Sequence, residues 1–82
     1  MAVVRLRLFA AARDAAACSE ATFDIVTLAE LRDAATAAYG ETFARVLATS
    51  RVWVNGEEAA AGDATVLVAG DEVAVLPPVS GG

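Results

Sequence analysis

The chain has 82 residues, which suffices for one domain with a single modest core. Its net charge of -5 disfavours nucleic acid as a partner, and no apolar run approaches the ~18–20 residues that span a bilayer, so no membrane partner is expected. With no histidine and one cysteine, Cys18, the chain has no Ser-His or Cys-His pair and no zinc-ligand spacing. We therefore expect no catalytic residue, no metal site and no internal disulfide, which is consistent with a reducing cytoplasm.

The first part of the chain predicts two paired strands. Val3–Phe9 alternates apolar residues with arginines, the pattern of a strand with one buried face. Ala10–Ala17 is rich in alanine and could form a helical turn, but Arg13 and Asp14 mark it as a solvated connection. Ala21–Ile25, with its β-branched and aromatic residues, predicts a second strand that pairs with the first.

The strongest local signal is the start of a helix. Thr27 and Glu30 have the spacing of a capping box, in which the Thr27 hydroxyl accepts from the Glu30 N–H and the glutamate reaches back. Gly40 lies where a left-handed residue ends a helix. The helix is therefore predicted over Leu28–Tyr39. Its apolar stripe consists of residues at i, i+3, i+7 and i+10, namely Leu28, Leu31, Ala35 and Ala38.

A second helical segment and a hairpin follow this helix. The segment Phe43–Leu47 has apolar residues at helical spacing. Arg51–Val54 predicts a strand, and Asn55-Gly56 predicts a tight turn into a weak partner strand at Glu58–Ala60. We expect Trp53 to belong to the core, because aromatic residues favour strands and bury large areas.

The order of these elements predicts an α+β fold of the β-grasp (ubiquitin-like) class, over residues 1–76. Glu72–Leu76 is the final strand, and it and the first strand are apolar enough for central positions in a mixed sheet. One main helix must then cross one face of that sheet. The alternative is a ferredoxin-like fold, but it needs a second full helix where Glu57–Val68 offers mostly turns.

Residues 77–82 predict a projecting diglycine tail. Pro77 and Pro78 stop the last strand, because they donate no hydrogen bond to a ladder. Two terminal glycines arise by chance in roughly 0.5% of chains, and they would let the tail thread a narrow channel. The free α-carboxylate of Gly82 is then a candidate reaction centre. Gly81 and the two residues before it form the rest of the tail. Val79 is predicted to fix the register of the tail in the channel by apolar contact, and Ser80 by a hydrogen bond, although Ser80 serves equally well as a spacer.

Motifs spread over nearly the whole chain resemble the MoaD/ThiS-type sulfur carriers. The most specific is a Gly-Asp-Glu-Val-Ala strand followed by Pro-Pro-Val-Ser-Gly-Gly, an ending most similar to small subunits of molybdopterin synthase. Val75-Leu76 is less aromatic than the matching residues of some relatives. The matching segments are Phe9-Ala10-x-x-Arg13-Asp14, Thr27-x-x-Glu30-Leu31, Val54-Asn55-Gly56-Glu57 and Leu67-x-x-Gly70-Asp71-Glu72-Val73-Ala74-x-x-Pro77-Pro78-Val79-Ser80-Gly81-Gly82.

The resemblance implies a function for the tail. An E1-like adenylyltransferase would adenylate Gly82 with ATP, and a sulfur donor would then convert it to a thiocarboxylate. The sulfur would pass to cyclic pyranopterin monophosphate in molybdenum cofactor biosynthesis. Catalysis would lie in the large subunit of a two-plus-two heterotetramer, so this chain would be a non-catalytic carrier. It would bind no cofactor tightly, and the activating enzyme would consume the ATP.

Three other interpretations stay open. A carrier of the same family could serve thiamine, cysteine or tRNA thiolation, and only the identity of its partner would separate these pathways. A ubiquitin-like modifier would share the fold, the diglycine and the adenylation step, but it would end attached to lysines of other proteins. A plain interaction domain could carry the tail incidentally.

Overall fold

The computed structural model describes residues 2–59 and 61–78. Two strands and two helices alternate in the first half of the chain, and a third helix leads into the remaining strands. In chain order they are β1 (Val3–Leu8), α1 (Ala10–Ala16), β2 (Glu20–Asp24), α2 (Leu28–Tyr39), α3 (Glu41–Thr49), β3 (Arg51–Val54), β4 (Glu57–Glu58) and β5 (Glu72–Leu76).

The strands form one mixed sheet in the order β2-β1-β5-β3-β4. Strands β1 and β5 pair in parallel, whereas the other neighbours are antiparallel. The first and last strands of the chain therefore lie inside the sheet, as their apolar sequences predict. This arrangement confirms the β-grasp class. Within its described residues, Glu57–Val68 holds a single short 3-10 turn, so the second helix of a ferredoxin-like fold is not there.

Several element boundaries differ from the prediction. The segment after β1 is a two-turn helix, because Ala12 packs into the core while Arg13 and Asp14 face solvent. Strand β2 begins one residue earlier than predicted. Strand β4 is limited to Glu57–Glu58, and Ala60 of the predicted strand lies outside the described residues. The predicted division at residue 76 stays a prediction.

Helix α2 has the predicted bounds because both of its ends are capped. The Thr27 hydroxyl accepts from the Glu30 N–H at 3.2 Å, the first half of the predicted capping box. At the other end Gly40 has φ +95°, a conformation that disfavours any other residue, and its N–H donates to the Thr36 carbonyl at 2.9 Å. Ala38 is exposed, contrary to prediction, because the buried stripe continues from Ala35 to half-buried Tyr39, four residues on.

The helices cover one face of the sheet, and the core lies between the helices and that face. Inward side chains of the two central strands are almost completely buried, together with Phe43 of α3. Trp53 does not belong to this core, so that prediction is wrong. Side chains alternate along a strand, so buried Val52 sends Trp53 to the opposite face of the sheet. The central inward residues are Leu6, Leu8, Val73 and Val75.

An aromatic cluster closes the end of the core beside Cys18. The Tyr39 ring meets Phe23 edge-on at a centroid distance of 6.3 Å and Phe43 at 5.1 Å. The Cys18 thiol donates to the Tyr39 hydroxyl at 3.6 Å. Burial, assisted by this contact, raises the pKa of Tyr39 to about 12. Cys18 thus has a packing role at the edge of the core.

A clamp of polar side chains fixes the start of β5 against the β3–β4 turn. The Asp71 carboxylate accepts from the Asn55 side-chain amide and from the Val68 backbone N–H, each at 2.9 Å. The Asn55 side-chain oxygen accepts from the Glu72 N–H at the same distance. The Val68 N–H, followed by the Asn55 amide, holds the pKa of Asp71 below its ordinary value.

Replacing Asp71 by asparagine should remove an acid-sensitive contribution to stability. Because the folded pKa lies below the unfolded pKa, the carboxylate stabilises the fold above about pH 4 and loses that effect as the pH falls through the folded value. Between about pH 5 and about pH 2, the free energy of unfolding in urea should fall less steeply for Asp71→Asn than for the wild type. Asp33→Asn, which changes an exposed carboxylate outside the clamp, is the control. Equal slopes for Asp71→Asn and the wild type would contradict the clamp.

Candidate functional site

The predicted tail leaves the domain from the middle of the sheet. Strand β5 ends at Leu76, and the two prolines come directly after it. Pro77 is half-buried and Pro78 is exposed. The prediction that two prolines end this strand is confirmed. The remaining predicted site residues lie outside the described residues, so their roles stay predictions. They are Val79, Ser80, Gly81 and Gly82.

The exit point lies at the end of the sheet where β1 also finishes. Because β5 runs parallel to β1, with Leu8 beside Val75, the residue that follows β1, Phe9, lies at the same end as Leu76. Across the antiparallel neighbour β3, Leu76 lies opposite Arg51. Pro77 and Pro78 therefore follow Leu76 at a position between β1 and β3, the two neighbours of β5.

The face of the sheet that the helices leave uncovered has an ordered pattern of side chains. In the middle of this face, Arg7, Ala74 and Trp53 form a row across three strands, because Ala74 of β5 pairs with Arg7 of β1 and with Trp53 of β3. The next row towards the far end contains Arg5 and Glu72. These residues share one face because strand partners point to the same side of a sheet.

The half of this face nearest the tail exit contains four apolar side chains beside the Arg51–Glu58 ion pair. We name Phe9, Trp53, Ala74 and Leu76 the apolar patch. Phe9 is 37% exposed and the other three are half-buried. The guanidinium carbon of Arg7 lies 5.6 Å from the centre of the Phe9 ring, so a cation–π contact ties this arginine to the patch.

The half of the face away from the tail exit is occupied by ion pairs. Arg5 contacts Glu20 at 3.2 Å and Glu72 at 3.7 Å, and Arg7 contacts Glu72 at 3.6 Å. These side chains are all more than a third exposed, so the pairs add little stability. Their main effect is to neutralise the arginines beside the apolar patch.

The helix-covered body encloses little space. The cavity between α2, α3 and the sheet has a volume of about 10 Å³ and is lined almost entirely by apolar side chains such as Leu28 and Phe43. In residues 2–59 and 61–78, no group of three or more histidine, cysteine or acidic side chains is placed to hold a metal ion. In the same part of the chain, no helix has the length and apolar character needed to cross a membrane.

The model of the ThiS family matches residues 6–82. The chain belongs to this family. Its members are ubiquitin-like sulfur carriers and modifiers with the β-grasp fold that the strand order shows here. No curated protein sequence gives a significant match.

Several solved structures have the same architecture over almost the whole chain. SAMP1 from Haloferax volcanii is 31% identical, with a TM-score of 0.84, and the match covers 98% of this chain and 99% of that one. The small archaeal modifier protein 1 from Methanosarcina acetivorans is 28% identical, with a TM-score of 0.88, and the match covers 100% of this chain and 98% of that one. In the complex of subunits 1 and 2 of the molybdopterin-converting factor from Helicobacter pylori, the similar chain is 25% identical, with a TM-score of 0.75, covering 98% and 99%.

Sequence reasoning predicted that β5 of this ThiS-family chain ends at the two prolines but missed the apolar patch beside them. The signal for the outward position of Trp53 was present, because buried Val52 precedes it in the alternation of a strand. The prediction that Trp53 belongs to the core used the size of its side chain and not this alternation. The clamp between Asn55 and Asp71 was missed for a different reason, since 16 positions separate these residues in the sequence.

Proposed function

We propose that this chain is the sulfur carrier and small subunit of a molybdopterin synthase, with Gly82 as the residue that carries sulfur. The observation that supports the proposal most is the Pro-Pro-Val-Ser-Gly-Gly ending, directly after the central strand of a ThiS-family domain. The similarity to a chain of the two-subunit molybdopterin-converting factor complex from Helicobacter pylori adds to it.

The proposed chemistry begins with a carboxylate that must be activated. The α-carboxyl group, with an ordinary pKa near ~3.3–3.7, is ionised at neutral pH and is a poor electrophile. An E1-like adenylyltransferase joins the Gly82 carboxylate to the α-phosphate of ATP and releases pyrophosphate. A hydrosulfide equivalent from a sulfur donor attacks the acyl carbon and expels AMP. The product is a thiocarboxylate whose sulfur is a better nucleophile than the oxygen it replaced.

The proposed role divides the work between the domain and its tail. The four residues after Pro78, fully extended, reach at most about 13–14 Å, which takes Gly82 into the active site of another protein. That protein is the large subunit, which supplies the catalytic residues in a two-plus-two heterotetramer. It transfers the sulfur to cyclic pyranopterin monophosphate. The assembly acts in the cytoplasm, and only the activating enzyme consumes ATP.

Incubation with ATP, the activating enzyme and a sulfur source should add about 16 Da to the intact chain, because sulfur replaces one oxygen of the Gly82 carboxylate. Intact-protein mass spectrometry measures this gain. A chain truncated after Ser80 should keep its mass, and it is the matched control. An unchanged mass of the full chain, with an activating enzyme that charges another carrier, would contradict the role of Gly82.

Gly81→Ala should leave folding intact and block transfer of the sulfur. Val75 is the last buried residue of the described core, so a methyl group at position 81 should not change the thermal unfolding midpoint. The same methyl group would widen the tail and restrict its backbone angles inside a narrow channel. Single-turnover formation of the dithiolene product with a precharged carrier measures the transfer. A lowered unfolding midpoint would show that the tail packs on the domain.

A second candidate function is that of a protein modifier. The two archaeal modifier structures favour it, at 31% and 28% identity over nearly the whole chain. The chain has no lysine, so it offers no ε-amine on which further copies of itself could be attached. Bands of higher mass on a denaturing gel, joined through Gly82 to lysines of other proteins, would favour the modifier over the sulfur carrier. Within the carrier class, only the sulfur acceptor separates molybdopterin from thiamine, cysteine or tRNA thiolation.

A further inference from the structure

We propose that Asn55 is a site of spontaneous deamidation and that the clamp formed with Asp71 and Glu72 controls the rate of this modification. The inference does not depend on the proposed function, because it concerns only the chemistry of the β3–β4 turn. Asn55 is the only residue of the chain with a side-chain amide, since the sequence contains no glutamine and no second asparagine. Deamidation of a side chain can therefore occur at this position alone.

The residue that follows Asn55 favours the reaction. Gly56 has no Cβ, so its backbone nitrogen can approach the Asn55 side chain without steric hindrance. That nitrogen bonds to the Asn55 Cγ atom, and the bond between Cγ and Nδ2 breaks. Nδ2 leaves as ammonia with the proton that the Gly56 nitrogen gives up. The cyclic imide then takes up one water at either carbonyl, which yields aspartate or isoaspartate without an oxidant or an enzyme.

In the folded chain, hydrogen bonds hold the Asn55 side chain against the start of β5. Its Nδ2 atom donates to the Asp71 carboxylate, and its Oδ1 atom accepts from the Glu72 N–H, each at 2.9 Å. The Asn55 N–H also donates to the Glu72 carbonyl at 2.8 Å. The nitrogen that would leave is thus bound to a charged acceptor, which makes a stronger hydrogen bond than a neutral one.

The backbone of the turn adds a second restraint. Asn55 has φ 51° and Gly56 has φ 85°, so both lie in the left-handed region that a two-residue hairpin turn requires. Attack on Cγ needs a rotation of Asn55 that carries its side chain away from β5, and both side-chain hydrogen bonds break in that rotation. The reactive geometry therefore belongs to an open clamp. The closed clamp protects the residue on which it depends.

The modified residue cannot restore the clamp. An aspartate at position 55 has acceptor oxygens and no donor, so its carboxylate would face that of Asp71, and two like charges in contact disfavour each other. An isoaspartate also routes the main chain through the former side chain and lengthens the turn. Each opening of the clamp thus carries a risk of permanent loss of the contact that fixes the start of β5.

The test measures deamidation of the purified full chain in mildly alkaline buffer by mass spectrometry. Exchange of ammonia for water adds about 1 Da, and trypsin, which cuts after Arg51, isolates Asn55 in the peptide 52–82. The chain unfolded in guanidinium chloride has no clamp, so it should deamidate at least about tenfold faster than the folded chain. Asp71→Ala removes the acceptor of Nδ2 and should raise the rate of the folded chain at least about fivefold.

The choice of variants keeps the measurement specific. Alanine replaces Asp71 here because an asparagine would add a second amide to the chain. Asp33→Ala, which removes an exposed carboxylate outside the clamp, is the matched control and should deamidate like the wild type. Circular dichroism shows whether each variant is folded. If Asp71→Ala is not, Asp71→Ser takes its place, since its hydroxyl can still accept from the Val68 N–H.

Three results would overturn the inference. An unfolded wild type that gains no mass would show that Asn55 is not a deamidation site. A folded wild type that gains mass as fast as the unfolded chain would show that the fold does not protect this residue. A folded Asp71 variant that deamidates at the wild-type rate would show that the turn protects Asn55 without the clamp. Methylation by an isoaspartyl methyltransferase, which labels the isoaspartate product, should increase in parallel with the mass gain.

Discussion

The parallel pairing of β1 with β5 is the constraint on which the rest of the structure depends. It places the first and last strands of the chain side by side inside the sheet and leaves β2 and β4 at the edges. Because the last strand is held on both sides by ladders, the residues after Leu76 start from a rigid base. The clamp of Asn55 on Asp71 and Glu72 fixes the other end of the same strand. Under the proposed function, this base would direct the chain after Leu76 towards other proteins.

The alternation of side chains along the strands then divides the molecule into two faces with different roles. Inward residues of the central strands pack against three helices and form the core. Outward side chains on the opposite face form the apolar patch near the tail exit and ion pairs around it. Stability therefore depends on one face, while the opposite face is available for contact. A one-residue register shift of β3 would exchange these roles, because Val52 and Trp53 would change sides.

Local signals explain which parts could be predicted from the sequence. Helix α2 was predicted to the residue because Thr27 and Gly40 cap its two ends through contacts with residues three or four positions away. Strand β5 was predicted because two prolines end it. Trp53 was placed wrongly because its size was considered without its neighbours on β3. The apolar patch and the clamp depend on pairings between distant segments, and a single sequence does not display such pairings.

The choice of basic residues bears on the chemistry of the proposed carrier. All six are arginine, and each forms an ion pair with an acidic side chain. A guanidinium stays protonated at neutral pH and does not attack an acyl group, whereas a lysine amine can do so. Arginine thus supplies positive charge at the surface without offering a side-chain amine to an activated Gly82. Under the proposed function, an acyl adenylate on one copy would find no side-chain amine on another, which leaves the carboxyl carbon to the sulfur donor.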